Sequence, residues 1–472
     1  MSRINTNVQS LIATRVYNSQ YTAQNQALTR LSTGLRINTG KDDPPGLIAS
    51  EALRATKTAI EAAQYNIVRA GNVVSVAESG LAEINRLLTD LEELVDKSSN
   101  EAGLTDAERN ANQLEIDAIL TSINRIAKTT EFQGKKLLGG ALEYTTSGAV
   151  ASSFATVSVL GAKLNPGSYQ DVSVNVYASA QTARLVYSGA TISQGVTVEI
   201  GGNIGTEALS FVSGTTIGSI RDAVNQNTVL TGVSAAVSGS SLVFNSTEYG
   251  AKQFVSVKAI EGTFAVSGGD AGSDKDFGRD VGVTINGINA VTDGLTARIQ
   301  SSVLSIQIEL TEDRATNVGS KLFQITGGGA DFMITPTVSL AGMESLGIPS
   351  VSSSRLGRAS LGFLNSLGTG QTNSVASRNF ATAQRIVREA QTQTAELRGR
   401  LGAFQKNTLT TMANSLGIAF ENTTAAESAI RDADFATETS NLTRSQILVQ
   451  SASTALRLAN VQPQSVLQLL GG

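Results

Sequence analysis

The side chains that most often carry catalysis and soft-metal binding are missing from this sequence. It contains no His and no Cys. Ser-His and Cys-His catalysis, thiol chemistry and zinc hydrolysis are therefore excluded. Without Cys no disulfide can form, so the redox compartment is not readable, although a cysteine-free chain suits an oxidising or extracellular environment.

One segment, GLRINTGKD at residues 34–42, has the composition of a phosphate-binding loop. The P-loop motif places four residues between its two glycines and a Ser or Thr after its lysine. Here the spacing has one residue too many, and Asp42 stands where the magnesium-binding hydroxyl would be. We interpret the segment as a helix-breaking loop, and the glycine run at 327–329 as a turn.

Two carboxylate pairs are candidates for cation binding: Asp42 with Asp43, and Asp432 with Asp434. Solvated helix caps or salt-bridge partners are the favoured interpretation. Arg431 lies next to the second pair, and Arg444 is the next cation along the chain. We therefore predict no catalytic residue, no cofactor and no metal site, and we do not expect an enzyme.

Composition limits the architecture and the partners. A chain of 472 residues suggests two to four folding units. Aromatic residues make up 5%, Trp is absent and Gly reaches 45, so thin cores of Ala, Val, Leu and Ile are expected. The formal charge of −4 offers no cationic excess for nucleic acid or an anionic bilayer. No apolar run suits a signal peptide or a membrane helix, so no membrane insertion is expected, and these rules alone predict a cytoplasmic protein.

An apolar heptad repeat predicts a long helix between residues 60 and 95. The seven-residue row consists of Ile60, Ile67, Val74, Leu81, Leu88 and Val95, and the row offset by three consists of Ala63, Ala70, Ala77, Ile84 and Leu91. Such a helix would be on the order of 50 Å long and needs a partner along its length. Gly71 and Gly80 are expected to weaken it locally, whereas the alanines permit close helix approach.

Further helices are predicted on both sides of the middle region. After a polar break at 98–105, Asp106 and Glu108 mark a helix start, favouring an antiparallel hairpin. Its apolar face consists of Ile116, Ile119, Ile123 and Ile126. Heptad rows recur near the end of the chain, at Ala390, Leu397 and Phe404, and at Phe435, Leu442, Val449 and Leu456. Periodicity does not distinguish an intramolecular bundle from an intermolecular polymer contact.

The middle region, from about residue 141 to 355, changes to Gly, Ser, Thr and Val with short alternating runs. Strands are predicted at VSVNVYAS (172–179), VTVEIGG (196–202) and VGVTINGIN (281–289), and a helix at IGSIRDAVNQN (217–227). The overall prediction is an α+β multidomain chain. Long helical coiled-coil or bundle ends, formed by both termini, flank an inserted β-rich outer region.

Both ends carry long segments that resemble the flagellin family. The amino-terminal segments are SRINTNVQSL (2–11) and LSTGLRINTGKDDPPGLIAS (31–50). The carboxy-terminal segments are RLGAFQ (400–405), IRDADFATETSNLTRSQIL (430–448) and ANVQPQSVLQLL (459–470). Pro44 and Pro45 stand where many relatives have small residues and are expected to stiffen the loop. The middle resembles the hook-IN type repeat of some flagellins, most clearly at 216–227 and 280–296.

The resemblance implies a structural subunit that polymerises through its paired terminal helices into the extracellular flagellar filament used for swimming. The implied segments are an inner-core helix (1–45), a helical rod (46–140), a variable β-rich outer region (141–355), a returning rod (356–428) and a second inner-core helix (429–472). The inner-core helices are expected to be disordered in the monomer, because residues 1–40 are thinly apolar. The polymer seam is expected at Ile4, Val8, Leu11, Leu35, Leu442, Val449, Leu456 and Leu467.

The resemblance also implies binding partners and a route of export from the cell. The chain is expected to bind copies of itself, a flagellar export chaperone, the type III export apparatus, and hook-filament junction and cap proteins. Export with an uncleaved, unfolded amino terminus replaces the cytoplasmic prediction with an extracellular one.

A stretch of the rod resembles the motif that the vertebrate Toll-like flagellin receptor recognises. Glu93, Leu94 and Glu115 match the recognised pattern, but Asp90 and Glu92 stand where strongly sensed flagellins have basic residues. Ordinary drift on a solvated or subunit-facing surface is favoured over selected evasion. Whichever of these explains the acidic residues at positions 90 and 92, we predict weak receptor activation. A carboxylate accepts hydrogen bonds, whereas the basic side chain of strongly sensed flagellins donates them.

Two other functions fit parts of the sequence. A hook-filament junction protein shares the terminal architecture, but the close match of DADFATETSNLTRSQIL (432–448) favours the filament. A secreted adhesin or carbohydrate-active protein with helical stalks would need a ligand-binding knob and ordered ends, and no catalytic pair is identifiable in the middle region.

Overall fold

The computed structural model describes residues 6–100, 103–165, 167–269, 272–301 and 303–470, with side chains as far as residue 461. Contacts divide the described residues into two compact units. The first consists of residues from 1–66, 335–337 and 411–472, and the second of residues from 67–334 and 338–410.

The helices lie toward both ends of the chain, with short ones in the middle. They are α1 Val8–Thr33, α2 Pro44–Ser98, α3 Asp106–Thr129, α4 Ile217–Gln226, α5 Thr228–Thr231, α6 Glu312–Thr316, α7 Phe380–Ala403, α8 Thr411–Arg431 and α9 Phe435–Leu470. A π-helical segment, Phe404–Thr410, connects α7 to α8. Within the described residues, no helix is long and apolar enough to cross a membrane. The predicted α+β class, with helical ends around a β-rich middle, is confirmed.

The strands lie between α3 and α7. They are β1 Glu131–Phe132, β2 Lys135–Lys136, β3 Tyr144–Ser147, β4 Phe154–Ala162, β5 Gln170–Ala178, β6 Arg184–Ser188, β7 Val196–Gly202, β8 Thr206–Phe211, β9 Val233–Ser238, β10 Ser241–Ser246, β11 Phe254–Glu261, β12 Val266–Ser267, β13 Lys275–Phe277, β14 Gly282–Ile285, β15 Ile288–Asn289, β16 Val291–Asp293, β17 Thr296–Gln300, β18 Leu304–Leu310, β19 Gly319–Gly328, β20 Ala330–Met333, β21 Met343–Leu346, β22 Gly357–Arg358 and β23 Gly362–Phe363.

The helical part of the second unit has one apolar core, built by the second half of α2 with α3 and α7. The predicted heptad row is buried from Ile60 to Val95, and none of its six residues is more than 5% exposed. Helix α3 begins with a capping box, in which Thr105 and Glu108 bond each other's backbone N–H groups. Ile116, Ile119 and Ile123 of α3 are buried in the same core.

The β-rich middle has two further apolar cores. Sheets of order β15-β14-β5-β19-β3 and β16-β17-β18-β4 enclose one core. Sheets β12-β6-β10-β9 and β13-β11-β7-β8 enclose the other together with α4. The predicted run 281–289 folds as the hairpin β14–β15. Asn286 and Gly287, which connect its strands, both have positive φ. A two-residue type I′ turn requires that conformation at both central positions.

The two prolines at the start of α2 correct the sequence analysis. Pro44 and Pro45 were expected to stiffen a loop, but they form the first turn of the helix. Proline suits this position because the first helical N–H groups have no intrahelical acceptor. Asp43 Oδ1 accepts a hydrogen bond from Gly46 N at 3.0 Å and so caps the helix.

Gly80 has a role in addition to the one predicted. Helix α2 continues through Gly71 and Gly80. A Cβ atom at Gly80 would lie 2.8 Å from Leu138 Cδ1 and 2.9 Å from Thr130 Oγ1, whereas one at Gly71 would have nothing within 4 Å. Gly80 therefore permits the segment after α3 to pack closely on α2, besides lowering helix propensity.

Alanine substitutions at these two glycines are expected to have opposite effects on the free energy of unfolding of the second unit. Gly80→Ala should destabilise it by about 1–3 kcal/mol because the added methyl overpacks the contact with Leu138. Gly71→Ala should stabilise it by about 0.5–1 kcal/mol because alanine is the better helix former. Urea denaturation of both variants measures the difference, and equal effects at the two positions would contradict the assignment.

Candidate assembly interface

In the first unit, α1 and α9 pair antiparallel. Asn7 Nδ2 near the start of α1 donates to the carbonyl of Ala459, at 2.8 Å. Toward the other end of α1, Arg30 Nη1 lies 3.0 Å from Glu438 Oε1, and the carboxylate of Glu438 is only 9% exposed. The two terminal segments of the chain are therefore partners within one molecule.

The pairing buries little apolar surface. Of the 26 residues of α1, all described, Ala27 alone is buried. The buried residues of α9 up to residue 461 are Glu438, Ser445 and Ala452. Small and polar side chains remove little apolar area from water, so the pair gains little hydrophobic stabilisation of its own.

Several larger apolar side chains of both helices are exposed instead. On α1 the exposed set consists of Val8, Leu11, Ile12, Val16, Tyr21 and Leu28, and on α9 of Phe435, Ile447, Leu448, Leu458 and Val461. Leu11 is 64% exposed and Phe435 is 72% exposed. Clusters of exposed apolar side chains on this scale mark interaction surfaces. We call these eleven residues the outer apolar faces.

The predicted seam residues of α9 lie on its inner side. Leu442, Val449 and Leu456 are half-buried and alternate, at helical spacing, with the buried Ser445 and Ala452. These five residues form one stripe of α9, the stripe that faces α1.

The other predicted seam residues lie elsewhere. Val8 and Leu11 belong to the outer apolar faces. Leu35 is half-buried and pairs with Asp432. Ile4 lies outside the described residues, and Leu467 lies in α9 with its side chain outside them. The described seam residues are therefore distributed over two surfaces.

The breaks between α1 and α2 and between α8 and α9 are joined to each other. Arg36 N donates to the carbonyl of Arg431 at 2.7 Å, and Ala433 N donates to the carbonyl of Gly34 at 2.9 Å. The Arg36 guanidinium donates to the carbonyl of Ile430 through Nη2, at 2.6 Å. The two bonds from Arg36 satisfy carbonyls at the end of α8 that have no intrahelical donor, and the bond from Ala433 satisfies the carbonyl of Gly34 after α1. We call residues 34–43 and 430–437 the hinge.

Three of the four carboxylates considered for cation binding, Asp42, Asp43 and Asp434, accept backbone N–H bonds in the hinge. Asp42 Oδ2 accepts from the backbone N–H of Thr39 at 2.9 Å, and this bond is the main cause of the lowered pKa of Asp42. Asp434 caps α9, and the backbone N–H of Thr437 lowers its pKa. Arg431 pairs with Glu51 at 2.9 Å. No group of three or more Asp or Glu side chains among the described residues is arranged to hold a metal ion.

The residues of the receptor-like motif are engaged within the second unit. Asp90 Oδ2 accepts from Arg86 at 2.7 Å. Glu92 accepts from Arg388 Nε at 2.8 Å and from Gln391 Nε2 at 2.9 Å, and these bonds lower its pKa. Glu93 pairs with Lys97 and is exposed, as is Glu115, whereas Leu94 is buried in the helical core.

Comparison with known proteins matches three regions of the chain. Residues 4–142 match the bacterial flagellin N-terminal helical region, and residues 384–470 match the bacterial flagellin C-terminal helical region. Residues 192–248 match the flagellin hook IN motif, which contains the predicted segment 216–227 but not 280–296.

Relatives align with the whole chain. Flagellin A of Helicobacter pylori is 26% identical, and the alignment covers 99% of each chain. A flagellin of Clostridium tyrobutyricum is 27% identical, over 98% of this chain and 100% of the relative. Among solved structures, FliC from Burkholderia pseudomallei aligns with a TM-score of 0.23 at 16% identity, over 71% of this chain and 98% of that chain. That score is too low to define the fold.

Long paired terminal helices with apolar outer faces, around an inserted β-rich middle, define a filament-forming subunit. The terminal matches, together with full-length relatives, assign the chain: it belongs to the flagellin family. It is a structural subunit of the bacterial flagellar filament, and flagellins are structural proteins. Its place is the extracellular flagellum.

Acidification is expected to loosen the hinge. The folded-state pKa values of Asp42 and Asp434 lie below the ordinary value of 3.8. Their capping contribution is therefore fully present above pH 4 and is lost as the pH falls through the lowered pKa values. Hydrogen exchange in filaments, corrected for the intrinsic rate, should show deprotection of the hinge amides between pH 4 and pH 2. Equal protection at both pH values would contradict this role.

Proposed function

We propose that the outer apolar faces of α1 and α9 become buried against other copies of this chain, and that polymerisation completes the fold of the first unit. One observation carries this proposal: of the 26 residues of α1, Ala27 is the only one that is buried. A helix whose larger apolar side chains are exposed needs a partner that covers them. In a flagellar filament, that partner is a neighbouring subunit.

Energetics favours disorder of the terminal helices before assembly. Fixing the backbone of one residue costs roughly 1–2 kcal/mol. The α1–α9 pair offsets this cost with two buried alanines, three half-buried apolar side chains of α9 and one part-buried ion pair, and isolated helices are marginal in water. Coupled folding and assembly follows, because the missing hydrophobic gain is provided only by neighbouring subunits.

The proposed seam therefore has two layers. Leu442, Val449 and Leu456 hold α9 to α1 within a subunit, while Val8 and Leu11 contact neighbouring subunits. Ile4, Leu35 and Leu467 are proposed to extend these contacts along both termini. We retain the division into an inner core (1–45 and 429–472), a rod (46–140 and 356–428) and an outer region (141–355), with the heptad row from Ile60 to Val95 as the rod seam.

Seeded assembly tests the proposal. Purified full-length chain, a version lacking residues 1–35 and a version lacking residues 440–472 would be added to filament seeds and imaged by electron microscopy. Long filaments are expected from the full chain and none from either truncation. Thermal melts of the truncated proteins provide the control, since the second unit should unfold as in the full chain.

A different outcome would favour the runner-up. If the full chain remains monomeric with protease-resistant ends under assembly conditions, the filament-seam proposal fails, and a hook-filament junction role becomes the better account. Such a protein would join the end of a preformed polymer without elongating it.

Export and assembly partners are further parts of the proposal. The chain is proposed to leave through the flagellar type III apparatus with an uncleaved, unfolded amino terminus, delivered by an export chaperone. It would then be inserted under a cap protein beyond the hook-filament junction. The weak intrinsic pairing of α1 supports this route, because a segment with little hydrophobic stabilisation is easily kept unfolded. Its role is proposed to be mechanical, with no catalytic activity.

Weak activation of the vertebrate Toll-like flagellin receptor is also proposed. Asp90 and Glu92 present carboxylates where the recognised pattern has donors, and Glu92 is already bound by Arg388 and Gln391. Leu94 is 7% exposed. Because Glu92 is already bound and Leu94 is buried, position 90 is the one where a single basic residue should restore a hydrogen-bond donor to the motif.

A reporter-cell titration tests the receptor proposal. The unmodified chain should require a much higher concentration than a strongly stimulating flagellin, and Asp90→Arg should lower that concentration. Glu61→Arg, which makes the same charge change at another exposed carboxylate of α2, is the control and should have no effect. A response of the unmodified chain equal to the strong stimulator would overturn the proposal.

A further inference from the structure

Arg400, on α7 in the second unit, has far fewer acceptors than its guanidinium can use. Its Nη2 donates to the carbonyl of Gly347 at 3.1 Å, and no second acceptor lies within bonding distance among the described residues. A guanidinium has five N–H donors. The residue is half-buried, and its unbonded N–H donors remain open to solvent or to a ligand.

Two cavities meet at Arg400. The first, of about 190 Å³, is lined by the carboxylates Glu143, Glu309, Glu389 and Glu396, and by Arg355 and Arg358. Arg355 pairs with Glu143 at 2.7 Å and Arg358 with Glu389 at 3.1 Å, so two of the three cations of this cavity are already neutralised. The excess of carboxylates makes it unsuitable for an anion.

The second cavity, of about 340 Å³, is lined by more cations than carboxylates. Lys163 and Glu344 line it as a pair at 3.0 Å, which leaves Arg400 as its uncompensated charge. Asn407 and Thr408 also line it. Both belong to the π-helical segment Phe404–Thr410, and such segments frequently occur at functional sites.

Arg298 and Glu396 are the charged neighbours that act on Arg400. Burial, followed by repulsion from Arg298, lowers the pKa of Arg400 to about 10, and Glu396 offsets this effect only in part. Glu396 is itself paired with Arg298 at 3.2 Å. Among the residues that line the second cavity, two cations, Lys163 and Arg400, accompany one carboxylate, Glu344. An anion in the second cavity would balance this charge.

We propose that Arg400 anchors a binding site for a small tetrahedral oxyanion, such as sulfate or phosphate, in the cavity it shares with Lys163, Asn407 and Thr408. The planar guanidinium fork matches two oxygens of such an ion, and the Lys163 ammonium and the side chains of the π-helical segment supply further donors. The bound ion would bridge α7 to β4 and β18, whose residues also line the cavity. This site is independent of the terminal helices.

The test is NMR observation of the arginine side-chain Nε–Hε signals in the full chain, kept monomeric at low concentration. Sodium sulfate is titrated against sodium chloride at equal ionic strength. One signal should shift saturably with sulfate and not with chloride, and it should be missing in Arg400→Gln and Arg400→Lys. Arg86→Gln is the matched control, because Arg86 pairs with Glu83 and Asp90 on the exposed face of α2.

Thermal stability of the same variants provides a second readout. Sulfate should raise the melting temperature of the unmodified chain above that in chloride, Arg400→Lys should need about tenfold more sulfate because the fork is lost, and Arg86→Gln should behave as the unmodified chain. If Arg400→Gln does not fold, Arg400→Lys decides. A sulfate response identical in the unmodified chain and in Arg400→Lys, or no saturable shift, would overturn the proposal.

Discussion

Leu11→Asp is expected to abolish filament elongation while the second unit remains folded. Leu11 is 64% exposed in the single subunit, so the change costs little there. In the filament the aspartate would be buried without a partner, and an unpaired buried charge costs several kcal/mol. We expect the critical concentration for elongation to rise by about 100-fold or more, since each 1.4 kcal/mol corresponds to a factor of about ten.

Asn18→Asp is the matched control for this prediction. It introduces the same carboxylate at another exposed position of α1, outside the outer apolar faces. Sedimentation of seeded reactions over a concentration series gives the critical concentration of each variant. If Leu11→Asp elongates at the concentration of the unmodified chain, or if both variants fail equally, α1 does not contact neighbours through Leu11.

Leu88→Ala is expected to destabilise the second unit by about 2–5 kcal/mol, the range for truncating a fully buried leucine. Leu88 is completely buried in the core shared by α2, α3 and α7. The substitution leaves a cavity between long helices, which cannot collapse without bending along their length. Urea denaturation of the monomer, followed by circular dichroism, measures the change.

Leu114→Ala separates the effect of burial from that of the residue type. Leu114 lies on α3, and its side chain is 70% exposed. The same substitution there should change the free energy of unfolding by about 0.5 kcal/mol at most, as is usual for a surface position. Similar losses at both positions would mean that the heptad row of α2 is not the centre of the core.

The helices and the strands could be predicted because their residues follow simple periods. The seven-residue row along 60–95 predicts a buried helix face, and α2 buries it. Alternation in VTVEIGG predicts β7 to the residue, whereas the run 281–289, predicted as strand, folds as the two strands of the hairpin β14–β15. These features depend on neighbours in sequence, which is the information that a single chain provides.

Other features depend on neighbours in space and could not be predicted. Gly80 was expected only to weaken α2, because its contact with Leu138 involves a segment far along the chain. The π-helical segment 404–410 has no sequence marker, and Pro44 could equally belong to a loop or to a first helical turn. The two surfaces of the α1–α9 pair were treated as one seam, because heptad spacing does not say which partner covers which face.

The central claim is that the outer apolar faces become buried between subunits, and cysteine labelling tests it most directly. The chain contains no Cys, so Leu11→Cys and Leu114→Cys each provide a single thiol. Labelling rates with a maleimide would be compared between monomers and filaments assembled from trace amounts of each variant in unmodified chain. We expect the thiol at position 11 to react rapidly in the monomer and to be strongly protected in the filament. Equal rates in monomer and filament would show that this face stays open to solvent, and would contradict the account.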